Sequence, residues 1–153
     1  MKALVIYDSM YGNTEKIAQA MGTALGAQVL RVGDVKPEHL NGLTVLIVGS
    51  PTQAFQPLKP IKAFLKTLPS GVLKGVRVAA FDTRADVQEV NSRILTLFAK
   101  LFGYAAEPIA ARLVKKGGTQ ALPPAGFFVN GKEGPLKDGE LERAAAWVRQ
   151  IQP

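Results

Sequence analysis

The residues best suited to chemistry lie in one short stretch, Ser9-Met10-Tyr11-Gly12-Asn13-Thr14. Ser9, Tyr11, Asn13 and Thr14 place hydroxyl or amide groups at four of its six positions. Gly12 permits a tight turn and a close backbone approach to a ligand. An apolar run precedes the stretch, and a helical pattern begins near Asn13 or Thr14. Free N–H groups and the positive end of the helix dipole then point into the turn. Those are the parts of an anion site. The turn has no lysine, so its donors are hydroxyl, amide and backbone groups, which suits a terminal phosphate monoester held by many hydrogen bonds. The plainer alternative is that Ser9 or Asn13 only caps the helix.

Other chemistries are poorly supplied. The chain has no cysteine, which removes disulfides, thiol nucleophiles, Cys-based zinc sites and iron–sulfur clusters. Its one histidine, His39, sits in the loop-like Pro37-Glu38-His39-Leu40 and reads as a surface residue. The net charge of +7 favours acidic partners or phosphate-bearing ligands. The cations are spread along the chain, and no nucleic-acid motif is present. No stretch reads as a signal peptide or as the ~20 apolar residues of a membrane span, so no membrane insertion and a cytoplasmic setting are expected.

The elements that must position the turn alternate strand and helix. Strands are expected at Ala3–Tyr7, Gln28–Val32, Leu43–Val48, Val76–Phe81 and Phe127–Val129. Helices are expected at Thr14–Leu25, Pro60–Leu68, Val90–Phe102, Glu107–Lys116 and Glu140–Ile151, each with apolar residues three and four apart. Trp147 reads as partly buried packing. With 47% hydrophobic and 20% charged residues, 153 residues suit one domain. Continuous apolar strands separated by helices imply a doubly wound, five-stranded parallel sheet with helices on both faces. Ligands of such sheets sit beyond the carboxyl ends of the strands at the switch point. The loops after strands one, three and four therefore matter most.

Tyr7-Asp8-Ser9-Met10-Tyr11-Gly12-Asn13-Thr14-Glu15 resembles the flavodoxin signature. That signature is a hydroxyl residue, any residue, a hydroxyl or aromatic residue, then Gly, Asn, Thr and usually Glu. The resemblance covers nearly the whole chain, because length and element order match too. It extends to a group of short flavodoxin-like proteins through Gly49-Ser50-Pro51-Thr52, Phe81-Asp82-Thr83-Arg84 and Phe127–Leu136. It implies a flavodoxin-like α/β fold with strand order 2-1-3-4-5. It also implies flavin mononucleotide (FMN), its phosphate wrapped by Ser9–Thr14. Rivals on this architecture fail: the chain lacks a G-x-G-x-x-G turn, a lysine-containing P-loop, an Asp ending strand three and a first-loop cysteine.

The resemblance places the loop Ser50–Pro57 beside the isoalloxazine ring. Thr52 and Gln53, after Pro51, offer polar contacts or simply make a turn. Phe55 either covers a ring face or packs beneath the loop. Many flavodoxins carry a Gly here whose peptide flips on reduction; this loop has none, and positive φ at another residue costs more. The segment Asp82-Thr83-Arg84 through Val87 lacks the family's usual Tyr or Trp, which leaves one ring face open. Arg84 either donates to the flavin N1/O2 edge or stacks on the ring, or else pairs with Asp82 or Asp86. Thr83 is placed to hydrogen-bond the ring or ribityl chain.

The expected function is electron transfer by an FMN-binding redox protein, since no acid, base or nucleophile constellation is present. Typical flavodoxins are acidic and meet basic reductases; this basic chain calls for an acidic redox partner protein. The alternative is an FMN-dependent NAD(P)H or quinone oxidoreductase. Lys59, Lys62 and Lys66 share a helical face, either solvated or a docking patch. Ile94–Phe102 reads as a packed helix in preference to a membrane-lying face.

Overall fold

The structure, a computed structural model, describes residues 1–86 and 93–151. Five of its strands form the parallel path β2-β1-β3-β4-β5, and β6 also pairs with β4. The ranges are β1 Ala3–Tyr7, β2 Gln28–Arg31, β3 Val45–Pro51, β4 Arg77–Ala85, β5 Thr119–Gln120 and β6 Ala125–Val129. The expected fifth strand is thus two segments on one edge of β4, and the order 2-1-3-4-5 stands. Between the segments lie Pro123 and Pro124, which have no N–H to give to a ladder.

Helices α1 (Asn13–Leu25), α2 (Lys59–Thr67), α3 (Arg93–Phe102), α4 (Ala106–Lys115) and α5 (Glu140–Val148) flank the sheet. Alternate strand residues face opposite cores. Val5, Tyr7, Ile47, Ala79 and Phe81 meet Ile17 and Met21 of α1 and Ala144 and Val148 of α5. Leu4, Ile6, Leu46, Val48, Val78 and Ala80 meet Ile61 and Leu65 of α2 and Ile109 and Leu113 of α4. Each fully buried Leu, Ile or Phe contributes about 1.5–3 kcal/mol. At Gly49 a Cβ would lie 2.0 Å from the Phe81 ring, so the glycine lets that ring cross under β3. Trp147 is partly buried against this core, edge-on to Phe127 at 6.1 Å, as expected.

Two strands run further than their apolar runs. β3 continues through Gly49 and Ser50 to Pro51, and β4 continues through Asp82, Thr83 and Arg84 to Ala85. These polar residues pair in register, Ser50 with Asp82, Pro51 with Thr83, and Thr83 with Phe127. Asp82, Thr83 and Arg84 therefore belong to a central strand, not to a loop. Backbone pairing on both edges overrides their polarity because their side chains find partners.

The packed-helix reading of Ile94–Phe102 holds on one side only, where Ala99 is buried and Phe98 packs on Phe55. Ile94, Leu97 and Leu101 are 68%, 55% and 66% exposed. Val90, Asn91 and Ser92 of that expected helix, and Val87 before it, lie outside the described residues. By length and composition the 23-residue stretch 93–115 is apolar enough to cross a bilayer, which reading the two apolar runs separately missed. The chain leaves the helix at Gly103–Ala105, however, and α4 buries Ile109 and Leu113 completely.

Candidate functional site

The carboxyl ends of β1, β3 and β4 open onto a cavity of about 430 Å³, within the range that accommodates cofactor-sized ligands. One end is the turn after β1. Gly12 takes φ +90° at the N-cap of α1, and no side chain caps that helix end. The first N–H groups of α1 are left for a ligand. Ser9 Oγ accepts the Gly12 N–H at 3.0 Å, which folds the turn and leaves the hydroxyl hydrogen to donate elsewhere. Asp8 accepts the Ser9 N–H at 2.9 Å and pairs with Arg31 at 3.1 Å, anchoring the turn from below.

Two further donors have structural ties as well. Thr14 Oγ1 lies 2.8 Å from Thr83 Oγ1, and both residues are buried, so the turn is tied to β4. Asn13 Nδ2 donates to the Glu133 carbonyl at 2.8 Å. That bond holds the loop after β6 against the turn, and Gly134 makes the approach: a Cβ there would meet the Asn13 amide at 2.5 Å. The pinned loop brings Gly131 and Lys132 into the cavity wall. Lys132 supplies the cation that the turn itself lacks.

The opposite end is built differently. Gln53 and Gln56 exchange backbone hydrogen bonds of 2.9 Å each way across Ala54 and Phe55. Both central residues have positive φ, 49° for Ala54 and 65° for Phe55. This is a two-residue turn of the mirror-image kind that ordinarily selects Asn-Gly. Each non-glycine residue held this way stores on the order of 1–3 kcal/mol of strain. Absence of glycine from Ser50–Pro57 thus does not keep the loop out of the left-handed region. Thr52 accepts the Ala105 N–H at 3.0 Å and donates its own N–H to the Thr83 carbonyl at 2.9 Å.

Ser9, Met10, Tyr11, Asn13, Thr14, Pro51, Thr52, Gln53, Thr83 and Arg84 all line the cavity. Gly12, Phe55 and Asp82 do not. Gly12 acts through its backbone. Phe55 turns to Phe98 of α3, ring centroids 6.1 Å apart, and borders a separate depression. Asp82 is fully buried and accepts Arg84 Nε and Nη2, both at 2.7 Å, and the Ala106 N–H at 2.9 Å. Burial pushes the Asp82 carboxyl above its ordinary range, against the pull of the Arg84 guanidinium. The ion-pair reading of Arg84 is the one realised: its guanidinium is clamped by Asp82 and lies 3.6 Å over the Tyr104 ring. Gly126 leaves room for it, since a Cβ there would sit 2.2 Å from Nε.

Sequence reasoning missed Lys132, Leu95 and Tyr104. Lys132 follows a strand's carboxyl end, so the topological rule could have found it. Nothing local marks the other two.

The family model for flavodoxin matches residues 5–147. The chain belongs to the flavodoxin family. Its cofactor is FMN, and its family work is electron transfer. The fold is shared with an archaeal flavodoxin at 25% identity and TM-score 0.72, over 97% of this chain and 94% of that one. Flavodoxin 1 from Bacillus cereus gives 16% identity and TM-score 0.75, over 98% and 96%. The rubredoxin:oxygen oxidoreductase of Desulfovibrio gigas gives 19% and 0.72, over 98% of this chain and 35% of that one. No curated protein matches in sequence. The residues present suit this flavodoxin's cofactor: a helix end without a side-chain cap, hydroxyls beside it, and a mainly apolar lining that includes Pro51, Ala54, Leu95 and Val129.

Proposed function

We propose that FMN binds in this cavity with its phosphate in the Ser9–Thr14 turn and its ring toward Pro51–Ala54 and Arg84, and that the protein passes electrons to an acidic redox partner. The observation carrying this reading is the uncapped start of α1, opening onto the cavity where β1, β3 and β4 end. Bound FMN supplies the electron-carrying chemistry. The chain binds and orients. Ser9 and Thr14 hydroxyls and the first N–H groups of α1 donate to phosphate oxygens, with Lys132 adding charge-assisted contact. Asn13 serves chiefly by tying the Lys132 loop down. Thr52, Gln53 and Thr83 offer donors and acceptors along the cavity. Arg84, clamped by Asp82, holds positive charge at the cavity wall, where it favours negative charge gained on reduction. A cytoplasmic location fits this role.

Titration of apoprotein with FMN and with riboflavin tests the assignment. Quenching of flavin fluorescence at micromolar FMN, with weaker riboflavin binding, is expected; no quenching by FMN removes it. A second reading, a stand-alone NAD(P)H or quinone oxidoreductase, is favoured by the orientation of Phe55 toward Phe98, which leaves room for a substrate over the flavin. Robust steady-state turnover of NAD(P)H and a quinone by the pure protein would replace the carrier reading with that one.

A further inference from the structure

We propose that the outer stripe of α3 lies on an anionic lipid bilayer and brings the mouth of the cavity to the membrane surface. Ile94, Leu97 and Leu101, spaced by three and four, form one side of the helix, and all are more than half exposed. The other side of α3 is engaged: Leu95 lines the cavity, Phe98 packs on Phe55, and Ala99 is buried. The exposed stripe therefore faces outward from an element that is itself a wall of the cavity.

Charge points to the occupant. Arg93 and Lys100 flank the stripe, and α3 has no acidic residue. Together α2, α3 and α4 carry seven basic residues and one acidic one, whereas α1 and α5 carry three acidic and two basic. An aliphatic stripe edged by cations is the composition of a helix lying in the headgroup region of an anionic membrane. A second copy would set Arg93 and Lys100 beside their own counterparts. Protein interfaces centre on aromatic residues and arginine, not on an Ile/Leu stripe. Membrane contact here is peripheral, since α3 has ten residues and a span needs about 20. The proposal concerns the surface alone and does not depend on FMN.

Co-sedimentation of the full, FMN-loaded chain with lipid vesicles tests it. The protein is expected to pellet with phosphatidylcholine vesicles containing about one-third phosphatidylglycerol and to stay in solution with pure phosphatidylcholine. Leu97→Gln with Leu101→Gln should weaken binding roughly tenfold or more, while flavin absorbance and thermal unfolding stay unchanged. Arg93→Gln with Lys100→Gln should erase the preference for anionic lipid. A wild type that ignores both vesicles overturns the proposal, as does a Leu97→Gln/Leu101→Gln variant that binds as well as wild type. A dimer dissolved by those two substitutions, without vesicle binding, assigns the stripe to a second copy instead. Salt-sensitive binding to polyglutamate, without vesicle binding, assigns the cations to an acidic protein.

Discussion

The two ends of the cavity, proposed to take the phosphate and the ring of FMN, are built on opposite principles. At the phosphate end, a glycine in its natural left-handed conformation, short hydroxyl ties and free helix N–H groups make the turn, and little strain is stored. At the ring end, a buried ion pair fixes Arg84, and Ala54 and Phe55 are held where glycine ordinarily sits. An anion can be met by backbone groups that a helix start provides at no conformational cost. A planar ring needs side chains and loop tips held by the rest of the fold.

That contrast can be broken most sharply at Asp82. Asp82→Ala leaves the Arg84 guanidinium and the Ala106 N–H without their shared acceptor, and is expected to cost about 3–5 kcal/mol by chemical denaturation. Because it loosens the ring end, surviving folded protein should bind riboflavin and FMN more weakly by similar factors. Thr14→Ala should act chiefly at the other end, although it also removes the partner of the buried Thr83 hydroxyl. Loss of a hydrogen bond to a charged phosphate is worth about 1.5–3 kcal/mol, roughly a ten- to hundredfold weaker FMN complex, with riboflavin barely changed. Equal weakening of both ligands by Thr14→Ala would erase the distinction between the ends.

A smaller effect is expected where the start of α5 meets β6. Glu140 accepts the Phe128 N–H at 2.7 Å and two hydrogen bonds from Arg143, which hold its carboxyl below the ordinary range. A depressed folded pKa contributes stability above the unfolded value and loses it as pH falls through the folded value. Glu140→Gln should therefore lower stability near neutral pH by about 1–2 kcal/mol, and the gap from wild type should close on acidification. A gap that stays constant with pH would assign the effect to packing. The smallest change is a gain: Ala54→Gly should stabilise the protein by up to about 1 kcal/mol, because relief of left-handed strain exceeds the added chain entropy. No gain in the denaturation midpoint would mean that the turn is unstrained.

Much of the fold was legible because it is periodic. Helices on both faces, the parallel sense of the sheet and the start of α1 follow from apolar spacing and one glycine, whereas the strand order came with the family resemblance. The lengths of β3 and β4 were not legible, since Ser50, Asp82 and Thr83 look like loop residues until their partners Leu58, Arg84 and Thr14 are seen. Phe55 and Arg84 each carried two readings that sequence could not separate. For Phe55 the deciding neighbour, Phe98, comes from a later part of the chain; for Arg84 it is the nearby Asp82, with Tyr104 stacking added by the fold.

By itself the sequence marked the turn proposed to bind the phosphate, because hydroxyls, a permissive glycine and a helix start act on adjacent residues and need no distant partner. Tertiary structure alone decided which side chains reach the ring end, that Lys132 joins the phosphate end, and that the stripe of α3 faces outward. Those outcomes depend on contacts between residues far apart in the chain, and no local pattern encodes which of several compatible neighbours packing will supply.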